Sequence, residues 1–109
     1  MLELTPAQIA VLQRLRTNGF VLSAFPLYAS AIGVRRGAFA ALLVPVEGAG
    51  LRLFGETCYL IDGNLSARTT RQGSAVFVWK NKQVAVTPEL AADLERFSAD
   101  LREMLAAAP

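Results

Sequence analysis

Residues 58–90 read CYLIDGNLSARTTRQGSAVFVWKNKQVAVTPEL, and the order of turns and apolar runs in this stretch decides the fold. Asp62-Gly63-Asn64 separates two short apolar runs with residues that accept positive φ at little cost, the strongest hairpin signal in the chain. Residues 65–71 and 75–80 are strand-like and face each other across Gln72-Gly73-Ser74. Lys80-Asn81-Lys82 then turns into residues 83–86. Connections this short force antiparallel neighbours. Val76 and Val78 on one face, with Ala75, Phe77 and Trp79 on the other, mark a strand covered on both sides and therefore central.

The stretch closes on a helix start. Thr87 is a good N-cap, Pro88 suits the first helical position, and Glu89 falls in the first turn. Leu90, Leu94, Phe97, Leu101, Met104 and Ala108 follow at spacings of four and three, opposite a charged stripe of Glu89, Asp93, Arg96, Asp100 and Glu103. This is an amphipathic helix that packs on the sheet. The same Thr-Pro signal stands near the other end, at Thr5-Pro6, with Gln8 placed to complete a capping box and Asn18-Gly19 to stop the helix. Leu4 and Ile9 sit where a hydrophobic staple would, and Ile9, Leu12 and Leu15 line one face.

Between the helices no helical period persists. Residues 20–25 and 27–34 are strand-like, with Pro26 imposing a kink, bulge or edge position. Arg35-Arg36-Gly37 reads as a turn, residues 38–46 as a buried strand, and Glu47-Gly48-Ala49-Gly50 as a second turn. Residues 51–54 and 58–61 flank Gly55-Glu56-Thr57, which is either a bulge or a tight turn. The expected fold is α+β: one domain spanning residues 1–109, with an N-terminal helix, a five- or six-stranded antiparallel meander and a C-terminal amphipathic helix on the sheet. That order is similar to profilin-like and roadblock-like adaptor folds, in architecture and without shared motif residues.

Composition narrows the function by exclusion. The chain has no histidine, which removes the commonest general base and metal ligand. Its single cysteine, Cys58, allows no intrachain disulfide, lacks a flanking base, and reads as a buried structural thiol. Scattered acids offer no metal cage, and the paired carboxylates Glu89/Asp93 and Asp100/Glu103 lie on a water-facing stripe. Gly48-Ala49-Gly50 lacks the lysine and following helix of a phosphate cradle. No catalytic residue, cofactor or metal is expected, and the chain reads as a non-enzyme. The longest uncharged stretch, residues 17–34, is broken by Asn18, Gly19 and Pro26, so no membrane helix is expected. No basic segment precedes an apolar run at the start, so no secretory leader is expected, and the expected location is cytoplasmic.

Two features point toward partners. Hydrophobic residues make up 53% of the chain and the mean hydropathy is +0.37, high for a small domain and suited to an apolar face that meets a homodimer partner or another protein. Charge is unevenly placed: residues 14–82 carry nine basic residues against three acids, and residues 83–109 carry two against five. If residues 51–61 form one bulged strand, the connections alternate so that Arg35, Arg36, Lys80 and Lys82 meet at one rim beside Asp62-Gly63-Asn64. With Arg68 and Arg71, these residues are the candidate site for phosphate or an acidic partner. Two functions follow as expectations: a small non-catalytic binding or adaptor module, acting through homodimer or protein contacts, or a nucleic-acid-binding module using the basic rim. An apolar ligand pocket between helices and sheet is a third.

Overall fold

In the computed structural model, which describes residues 4–25, 28, 30–46 and 50–106, both Thr-Pro pairs start helices. Helix α1 spans Pro6–Thr17. Thr5 Oγ1 accepts from the Gln8 amide at 3.2 Å and the Thr5 amide donates to Gln8 Oε1 at 2.9 Å, a complete capping box. Helix α2 spans Pro88–Ala106, and its Thr87 hydroxyl accepts from the Leu90 amide at 3.1 Å. The buried stripe of α1 is Gln8, Val11, Leu12 and Leu15, and Ile9 is left largely exposed. The stripe is rotated because the Gln8 amide is used inside: it donates to the carbonyls of Val46 and Gly50, at 3.3 Å each.

Among the described residues nine strand segments lie between the helices: β1 Val21–Ser23, β2 Ile32–Arg36, β3 Phe39–Pro45, β4 Leu51–Leu53, β5 Cys58–Ile61, β6 Asn64–Leu65, β7 Ala67–Arg71, β8 Ser74–Trp79 and β9 Lys82–Ala85. The architecture is the expected α+β order of helix, antiparallel strands and helix, with the strands divided between two sheets. The larger runs β1-β2-β3-β5-β6 with β4 also on β3, and the smaller runs β7-β8-β9. The chain changes sheets at Ser66, a buried residue whose amide and hydroxyl both donate to the Tyr59 carbonyl. Pro26 and Glu47-Gly48-Ala49 lie outside the described residues, and with them the expected kink and most of the second turn.

Residues 51–61 form one bulged strand. Leu43 pairs with Leu53 and Ala40 with Cys58, so four residues on one side face two on the other. Gly55 absorbs the excess at φ 77°. The β2–β3 turn falls on Gly37-Ala38, later than the sequence indicates, because Gly37 supplies the positive φ (63°) that the first position of the turn needs. Arg35 and Arg36 therefore belong to strand β2. Asp62-Gly63 (φ 51° and 77°) and Gln72-Gly73 (φ 52° and 77°) are two-residue turns with both φ positive, as a type I′ hairpin requires.

The core joins both sheets to both helices. Five aromatic rings run through it in series: Phe20–Phe97 at 5.6 Å between centroids, Phe97–Phe39 at 6.0 Å, Phe39–Tyr59 at 5.8 Å and Tyr59–Phe77 at 5.0 Å. Tilted, edge-on and stacked pairs at these separations add about 1 kcal/mol each beyond burial of their area. Trp79 packs partly buried against the edge of this cluster. From β3, Phe39, Ala40, Ala41, Leu42 and Leu43 are all buried, which makes it the central strand of the larger sheet.

Candidate interaction surface

Adjacent residues of a strand point to opposite faces, and this separates the two β2 cations. Arg36 pairs in register with Phe39 and turns toward α2, where it donates to Asp100 Oδ2 at 2.6 Å. Its guanidinium carbon also lies 4.5 Å from the Phe20 ring centroid and 5.9 Å from that of Phe97. Arg35 pairs with Val21 and Ala40 on the other face and is exposed. Lys82 makes an ion pair with Asp62, which joins the β8–β9 turn to the β5–β6 turn. Lys80 takes positive φ (55°) and sets its ammonium 4.7 Å from the centroid of the Trp79 ring. Arg36 and the lysines thus lie toward the same end of the molecule, through Phe39–Tyr59 pairing and the Lys82–Asp62 contact.

The remaining two cations lie elsewhere. Arg71 pairs with Ser74 at the far end of the β7–β8 hairpin and donates to Gln83 Oε1 at 3.2 Å. Arg68 is opposite Phe77 and lies beside α2. Of the four rim cations, two are engaged by carboxylates, so the local charge is well below what the sequence alone implies.

A different feature was missed in the sequence. β1 is the outer strand of the larger sheet, and its outer edge pairs with no strand among the described residues. Val21 is 50% exposed and Leu22 41%. Solvent-facing edges are ordinarily guarded by charge, proline or brevity. β4 carries Arg52, β7 carries Arg68 and Arg71, β9 carries Lys82, and β6 is two residues long. β1, three residues long, has neither charge nor proline, so brevity is its one guard, and it sits inside the uncharged stretch 17–34. The long uncharged run was the available signal. Without strand order it could not be told from a covered central strand.

Cys58 is half-buried on the face of β5 away from Tyr59, next to Ala40. Burial pushes its thiol pKa up and the Glu56 carboxylate adds to that, so the thiol is held in its unreactive protonated form. Among the described residues no group of three His, Cys, Asp or Glu could hold a metal ion, and no helix is long and apolar enough to cross a membrane. The chain matches no protein-family model, and no curated protein or solved structure matches it significantly.

Proposed function

We propose that this protein is a small non-catalytic binding module that works through protein–protein contact, with a second copy of itself as the first partner. The observation that carries the reading is the uncharged, half-exposed edge of β1. An antiparallel strand from a twofold-related copy continues the larger sheet, satisfies the edge amides and carbonyls, and covers Val21 and Leu22. Self-pairing brings no charged residues of β1 face to face, because it has none. The lone cysteine supports a cytoplasmic setting, where thiols stay reduced.

Sedimentation velocity tests this at micromolar concentration. The expected result is a dimer that Leu22→Lys converts to a monomer with unchanged circular dichroism, since a buried lysine on a paired edge is strongly disfavoured. A monomeric wild type, or a dimer indifferent to Leu22→Lys, overturns the edge-pairing reading. The nucleic-acid reading rests on Arg35, Lys80 and the Trp79 ring beside it. It predicts binding to single-stranded DNA or RNA that weakens steeply with salt, and flat anisotropy titrations at low salt remove it.

A further inference from the structure

Where the chain passes from the larger sheet into the smaller one, a polar cleft of about 370 Å³ opens between the 54–57 bulge, β7 and α2. Its walls carry Glu56 and Thr57 from the bulge, Arg68 from β7, and Glu95, Ser98 and Arg102 from α2. None of the four charged side chains is in an ion pair or side-chain hydrogen bond among the described residues. Two guanidiniums and two carboxylates therefore share one concavity without neutralising each other directly.

The hydroxyls fix the polarity further. Ser98 is buried and donates to the Leu94 carbonyl at 2.9 Å. Its one proton is thereby used, so in the 2.6 Å contact with Thr57 the threonine is the donor. Thr57 Oγ1 is left with acceptor capacity only. The same pair pins the bulge to α2 and sets the shape of the cleft before any ligand arrives.

A bare anion entering this cleft meets Glu56 and Glu95, and a bare cation meets Arg68 and Arg102. A molecule carrying both charges a few bonds apart can meet a complementary group for each of them within the one cleft. We propose that the cleft binds a small zwitterion of the α-amino-acid class, its carboxylate held by Arg68 and Arg102 and its ammonium by Glu56, Glu95 and Thr57 Oγ1. Guanidinium groups suit the carboxylate because their donors match its two oxygens. The site is separate from the β1 edge and does not depend on dimer formation.

Titration of the full chain with glycine, L-alanine and L-serine, followed by backbone amide NMR, tests the proposal. Saturable shifts are expected at Thr57, Arg68 and along α2 from Glu95 to Arg102. Acetate and ethylamine, each lacking one charge, should bind at least about tenfold more weakly, the worth of a lost charge-assisted hydrogen bond. Arg68→Gln, which removes the guanidinium, and the isosteric Glu95→Gln are changes at exposed positions that should each lower affinity by a similar factor without altering the fold. The proposal is overturned if none of the three amino acids shifts these amides, if acetate or ethylamine binds as tightly, or if both variants bind as the wild type does.

Discussion

Arg36 on β2 reaches Asp100 on α2 at 2.6 Å while its guanidinium covers the Phe20 ring, so one side chain ties the first hairpin to the last helix. The two contacts differ in worth. The ion pair is 31% and 42% exposed, and solvent screening limits it to about 0.5 kcal/mol. The cation–π contact and the covered ring edge bring the total for Arg36→Ala to about 1–2 kcal/mol. Asp100→Asn removes only the ion pair. Urea denaturation should therefore rank Arg36→Ala well above Asp100→Asn in destabilisation, and the reverse order would show that charge, not stacking, dominates.

The turn at Gln72-Gly73 offers a cleaner backbone test. Gln72 holds φ 52° and Gly73 φ 77°, and a side chain added at Gly73 would meet nothing within 4 Å. Gly73→Ala therefore reports conformational strain alone and should cost about 1 kcal/mol. Gln72→Asn substitutes a residue that tolerates left-handed geometry and should gain about 0.5 kcal/mol. Thermal unfolding of both variants measures the pair, with opposite signs expected.

Cys58 links stability to alkaline pH. Its folded-state pKa is raised by burial and by Glu56, so the folded chain keeps a proton that the unfolded thiol gives up near pH 8.5, roughly the free value. The associated stability is complete below the unfolded pKa and is lost as pH rises through it toward the folded value. Cys58→Ser lacks this loss. The difference in urea midpoint between wild type and Cys58→Ser should shrink from neutral to alkaline pH, and a constant difference would refute the linkage.

Gly33 on β2 has no room for a side chain. A Cβ there would lie 2.1 Å from the Ser23 carbonyl oxygen and 2.5 Å from the Phe25 ring. Gly33→Ala must push β1 away from β2 and should cost about 2–3 kcal/mol. Amide exchange in Val21–Ser23 should rise more than in β3, which distinguishes local displacement of β1 from general loss of stability.

The helices were legible in the sequence because caps are local: Thr5, Gln8 and Thr87 make the hydrogen bonds that their spacing implies. Hairpin turns were legible where Gly63 and Gly73 force them. Strand neighbours were not. A run such as 64–71 alternates faces without saying which strand it pairs, and the change of sheet rests on one residue, Ser66, bonded to Tyr59. The candidate cations show the same limit. Arg35 and Arg36 look like a pair in sequence, but strand alternation separates them, and the carboxylates that engage Arg36 and Lys82 come from distant positions. The polar cleft combines the bulge, β7 and α2, so no linear pattern announces it.

The series of five rings also dictates when this chain can become a protein. Phe20 follows α1 and is made 77 residues before its ring neighbour Phe97 of α2, and Phe39 shares that same neighbour. Phe39, Tyr59 and Phe77 can meet as the strands form, but Phe20 has no ring to close against until α2 emerges. Packing around Phe97 is thus postponed until α2 has been made, and the apolar strands that it covers must be kept apart from other chains until then.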